Sequence, residues 1–128
     1  EAERADGGAA AQLVGLGVGY MAFAAANPVL FQLMFSREAN HLEVADGAAE
    51  IRRLQAAAVD AALQSADTQV SGEVRQRMTD FAWATMHGFI TLVLEGEIGG
   101  RDSSRGLKAR GLAVLAAMAE TVVRSGGR

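Results

Sequence analysis

Apolar residues along this chain recur at three- and four-residue steps, the period of helices with one buried face. Leu13, Leu16, Gly17, Tyr20, Phe23 and Ala24 keep that step and predict a helix over about 8–26. Asn27-Pro28 marks a new start, because Asn can cap a helix and Pro suits its first position. The apolar run 29–35, VLFQLMF, follows as a short and mostly buried helix, and 36–43 reads as a connection. A third helix is expected over about 44–66, with Val44, Ala48, Ile51, Leu54, Ala58 and Ala62 as its stripe and Glu50, Arg52, Arg53 and Asp60 off it. Residues 67–72 form a turn in which Thr68 or Ser71 could cap a fourth helix over about 73–95. The segment EGEIGGRDSS (95–104) is the clearest break, with Asp102 or Ser103 as a candidate N-cap for a fifth helix over about 104–124.

Each of Gly15, Gly17 and Gly19 weakens the first helix by roughly 1 kcal/mol relative to alanine. That helix therefore needs tertiary support, and close helix packing is favoured over a mobile wall. The last two helices are too apolar for one interface. In the fourth, Val74, Met78, Phe81, Thr85, Gly88, Phe89 and Leu92 share one face, while Trp83, Met86, His87, Ile90 and Leu94 make a second. In the fifth, Leu107, Val114, Met118 and Val122 form a face that Leu112, Leu115, Ala119 and Val123 widen. A helix apolar on two sides in a small domain points to a partner outside its own fold. Two such helices from each of two copies would make a four-helix bundle about a two-fold axis. The expected dimer interface is Met78, Phe81, Thr85, Gly88, Phe89 and Leu92, with Leu115, Met118 and Val122.

Composition narrows the classes. The 128 residues make one domain, half of them hydrophobic but only 5% aromatic, and Pro28 is the only proline, which favours an all-α fold. Cysteine is absent, so disulfides and thiolate-ligated metal sites are excluded. A net charge of −3 with 12 dispersed basic residues leaves no footprint for nucleic acid. No apolar run approaches the roughly 20 residues of a membrane span, and no leader precedes the first helix. The chain reads as a soluble, cytoplasmic protein without a membrane partner. It starts at Glu1 rather than Met, which fits a fragment of something longer.

Candidate chemistry is sparse. Glu38-Ala-Asn-His41 has the Glu-x-x-His spacing of di-iron bundles, but those sites need a second such pair and further glutamates. His87 follows Ala84 at that spacing, so no metal and no cofactor is expected. The serines fall in loops or near helix ends, away from His87, and GLGVGY (15–20) lies in a helical pattern without a preceding strand. An enzyme is not expected. Trp83 and His87, four apart, share a helical face directed at the helices that carry Tyr20, Phe31, Met34 and Phe35. Residue spacing leaves two readings open for that face: an ordinary packed core, or a mostly apolar ligand pocket with a few polar groups.

Two stretches together resemble the C-terminal regulatory domain of TetR-type transcriptional regulators, in the subgroup named for a Trp-x-x-x-His-Gly motif. The motif stands here as Trp83-Ala-Thr-Met-His87-Gly88, followed by FITLVLEG (89–96), and the upstream stretch is GYMAFAAANPVLFQLMF (19–35). The resemblance implies a single ligand-sensing and dimerisation domain over 1–128, about five helices, with the last two long helices forming a dimeric bundle. It also implies an N-terminal helix-turn-helix head that is absent from this chain, so DNA would be met only through that head. A small, mostly apolar effector would shift the regulator between states of different operator affinity. Facing geometry nominates Tyr20, Phe31, Met34, Leu54, Trp83 and His87 for its pocket, with Trp83 stacking on it and His87 hydrogen-bonding to it. The alternatives are a homodimeric helical interaction module without a small-molecule site and, less favoured, a small helical enzyme.

Overall fold

Alanine-rich segments without internal proline give the chain five helices in a computed structural model, which describes residues 2–35, 44–64, 70–99 and 104–126. They are α1 (Ala2–Ala26), α2 (Pro28–Met34), α3 (Val44–Gln64), α4 (Gly72–Leu94) and α5 (Ser104–Gly126). No strand occurs among the described residues. The fold is all-α, as the periodicity predicts. Thr68, Asp102 and Ser103, and the Glu38/His41 pair, lie outside the described residues.

The helix ends follow local chemistry, with one departure from expectation. Ser71 caps α4, its Oγ accepting from the Val74 amide at 3.2 Å. Gly96 (φ 77°) and Gly99 (φ 65°) turn the chain after α4 in a region that L side chains rarely adopt. Asn27, in contrast, makes no side-chain cap for α2. Its Nδ2 donates to the Phe23 carbonyl at 3.1 Å, and its own amide donates there at 2.9 Å. Asn27 thus closes α1 and leaves the start of α2 to Pro28, which has no N–H to satisfy.

α3, α4 and α5 pack pairwise, and α1, like α3, touches each of the other four helices. Its inner line is Leu13, Gly17, Tyr20 and Ala24. Against that line stand Val59 and Leu63 of α3, Met86 and Ile90 of α4, and Leu115, Met118 and Val122 of α5, all buried. Two glycines set the approach of α5. A methyl group at Gly17 would lie 2.5 Å from Leu115 Cδ2, and one at Gly126 would lie 2.3 Å from the Leu63 carbonyl oxygen. The second contact is to backbone, so α5 reaches the end of α3 only because residue 126 has no side chain.

The stretch Gly8–Ala26 is a correction to the sequence reading. Its 19 residues, with a mean hydropathy of 1.5, are long and apolar enough to cross a membrane by length and composition alone. Glycines, small alanines and Gln12 break up its large apolar residues, so no continuous run of them marks it. In this fold it packs against the other helices through one face, with 22% of that apolar window buried.

Candidate functional site

Five rings from three helices gather where α1, α2 and α4 meet. Tyr20 comes from α1, Phe31 and Phe35 from α2 and its last turn, and Trp83 and His87 from α4. The four-residue spacings 31/35 and 83/87 stack each pair on one face, and Tyr20 enters between them. Tyr20 lies 5.5 Å from Phe31 and 5.9 Å from Trp83, centroid to centroid, and Trp83 stacks on His87 at 5.3 Å. Phe35 and His87 meet in a T-shaped pair, their centroids 4.9 Å apart. Each such pair contributes on the order of 0.5–1.5 kcal/mol beyond the burial of its area.

One hydrogen bond runs through the cluster: the Tyr20 hydroxyl and His87 Nδ1 are 3.0 Å apart. Burial pushes the Tyr20 phenol well above its usual range, an effect that the Arg52 guanidinium partly opposes. Burial also holds His87 below the ordinary imidazole value. A protonated phenol beside a neutral ring makes Tyr20 O–H the donor and Nδ1 the acceptor, with the ring proton on Nε2. The pair is a polar link between α1 and α4 inside an otherwise apolar cluster.

Beside this cluster, α1, α4 and α5 border a half-open cavity of about 540 Å³. Ala24 and Ile90 line it, and they stand one helical turn beyond Tyr20 and His87 on the same helices. Met21 forms another part of its wall and rests over Gly111, where a methyl group would meet Met21 Cε at 2.2 Å. Its outer parts are Val18, Leu107, Lys108 and Leu112. The volume falls within the roughly 300–1,000 Å³ of small-molecule sites, and among the described residues the lining is apolar except for Lys108. A shallower groove of about 380 Å³ runs between α1 and α5 along Val14 and Val123.

The structure brings together four of the six pocket candidates, Tyr20, Phe31, Trp83 and His87, as packed neighbours. Met34 is buried and turns toward α3, its Cε 3.2 Å from where a Gly47 side chain would begin. Leu54 is 49% exposed and is not part of the aromatic cluster. Of the nine interface candidates, Phe81 and Leu92 are exposed, while Met78, Thr85 and Gly88 are half-buried. Phe89 is buried and lines the cavity, and Leu115, Met118 and Val122 lie in the chain's own core. A side chain at Gly88 would meet nothing within 4 Å, so that position faces open space.

Phe35 and, Phe89 apart, the cavity wall were missing from the sequence-based candidates. The four-residue step from Phe31 was the available signal for Phe35. Nothing in the sequence marked Met21, Ala25 or Lys108, since a cavity arises from how helices splay and not from residue type. Gln55 was overlooked as well: it is 2% exposed, and its side-chain nitrogen has no partner among the described residues. No group of three or more His, Asp or Glu side chains is placed to hold a metal among the described residues.

A family model described as "Tetracyclin repressor-like, C-terminal domain" matches residues 13–115. No curated protein and no solved structure matches the chain.

Proposed function

The chain belongs to the tetracyclin repressor-like C-terminal domain family, and from that premise we propose that it is the effector-binding and homodimerisation domain of a TetR-type regulator. The observation that carries the effector half is the apolar cavity of about 540 Å³ between α1, α4 and α5. A small, mostly apolar molecule held there would press on Ala24 and Ile90, one turn from the Tyr20–His87 bond. Trp83 and His87 then sense the ligand through the helices they stand on. The effector changes DNA affinity by as much as it prefers one arrangement of the DNA-reading heads over another.

The dimerisation half is supported by the outer stripe of α4. Phe81, Thr85, Gly88 and Leu92 recur along one face, with Leu92 41% exposed and open space beyond Gly88. Leu112 of α5, 50% exposed, extends the apolar surface. A second copy would cover this stripe, its close approach admitted by the missing side chain at Gly88. Leu115, Met118 and Val122 serve the chain's own core, so the contact falls to the exposed members of the expected interface.

A thermal-shift screen of the chain with small apolar molecules tests the effector reading, because a specific ligand stabilises by RT ln(1 + [L]/Kd), about 2.7 kcal/mol at 100 times Kd. The expected result is a saturable rise in Tm that is abolished by Ala25→Phe, which fills the cavity from an exposed position on its wall. A screen without any such rise, or a rise that Ala25→Phe leaves intact, rejects this assignment. The rival reading, an interaction module without a small-molecule site, draws on the aromatic cluster, whose rings fill one another's space. It gains if the screen is silent while the chain is a dimer.

A further inference from the structure

We propose that the molecule taken by the α1–α4–α5 cavity is a monoanionic amphiphile: an unbranched aliphatic body ending in a single carboxylate-like charge that pairs with Lys108. This rests on the reading of that cavity as the effector site and names the chemistry it selects.

The wall dictates the body of the ligand. Val18, Met21, Val93, Leu94, Leu107 and Leu112 are aliphatic or flexible, and Phe89 contributes the single ring. Ala22 and Ala25 complete the α1 side with small side chains that leave the space between the helices open. Such a surface rewards methylenes, each worth about a threefold to fourfold gain in affinity when buried. It offers little to a ligand rich in hydrogen-bonding groups, because polar atoms buried there without partners are penalised.

Lys108 dictates the end. Among the described residues it is the only charged one lining the cavity, and it is exposed as well as lining. That is the disposition of a lysine whose aliphatic stem covers apolar wall while its ammonium stays in water. A ligand seated with its chain inside can leave an anionic group at that rim and gain a charge-assisted bond without burying an unpaired charge. One ammonium matches one negative charge; a polyanion would set its excess charge against leucine and valine. A cationic head would meet Lys108 directly and be repelled.

The experiment compares dodecanoate with dodecanol, both below aggregation, by calorimetry on the chain, with Lys108→Met and Ala25→Phe as variants and circular dichroism as the check on folding. Lys108 and Ala25 are both exposed, so neither substitution removes core packing. Dodecanoate should bind about tenfold tighter than dodecanol at low salt, and Lys108→Met should erase that difference while leaving dodecanol unchanged. Decanoate should bind about tenfold more weakly than dodecanoate, two methylenes fewer. Equal binding of acid and alcohol, unaffected by Lys108→Met but lost in Ala25→Phe, overturns the anionic end and keeps the cavity as an effector site. Absence of saturable binding by either probe, or binding that Ala25→Phe does not weaken, overturns both.

Discussion

Leu115 of α5 occupies the space that a side chain at Gly17 of α1 would need, its Cδ2 2.5 Å from the position of the first added carbon. Leu115 is itself buried, with little room to swing away. Gly17→Ala should therefore cost about 1–3 kcal/mol through overpacking. Gly19, two residues along the same helix, has nothing within 4 Å of an added carbon. There the helix propensity of alanine should prevail, and Gly19→Ala should stabilise by up to about 1 kcal/mol. Urea midpoints of the two variants should move in opposite directions; a shared direction would contradict the packing.

Phe31 and Leu54 were nominated together but stand in different surroundings. Phe31 is buried against Tyr20 and His87, so Phe31→Ala should cost about 3–5 kcal/mol. Leu54 is about half exposed, and Leu54→Ala should stay within roughly 0.5 kcal/mol of the parent. Equal losses in chemical denaturation would place Leu54 in the core after all.

The His87 ring gives stability a pH dependence whose sign is fixed. Its folded-state value is held below the unfolded value of about 6.5, so the folded chain resists protonation. The stabilisation is complete above about pH 6.5 and is lost as the pH falls through that value toward the lower, folded one. His87→Gln keeps an acceptor for Tyr20 but cannot titrate. The Tm of the parent should fall faster than that of the variant between pH 7 and 5, and parallel curves would refute the assignment.

Leu92→Glu places a charge on an exposed position of the α4 stripe and should leave the helical fold intact. Under the proposed dimer it should convert the species seen by light scattering at micromolar concentration to monomer mass. Phe89→Asp is a different experiment. Phe89 is buried against the Gly111 region of α5, so that variant should unfold rather than dissociate. If Leu92→Glu stays dimeric, the contact lies on another face.

Helix existence was legible because the 3.6-residue period leaves a mark in every apolar residue, and α3 begins at Val44 as the pattern requires. The ends were less so. α5 runs on to Gly126, past the expected stop near 124, since a glycine there is needed for contact with Leu63 rather than for termination. The facing of Trp83 and His87 toward Tyr20 and Phe31 was readable from spacing, because helices fix which residues share a side. Which apolar faces of α4 and α5 stay within the chain was not readable. Leu115 and Leu112 are three residues apart and both apolar, yet one is buried and the other half exposed. That difference depends on the azimuth of α5 against α1, which Gly17 and Gly111 set through their lack of side chains.

The chain has one tyrosine and one tryptophan, and the fold sets their rings 5.9 Å apart on two different helices. That separation lets the excited phenol hand its energy to the indole before it can radiate. Illuminated at tyrosine wavelengths, the native chain should glow almost wholly as tryptophan, and a phenol band should emerge only when α1 and α4 part. Tyr20 and Trp83 thus form a built-in optical gauge of one helix pair, readable without label or dye.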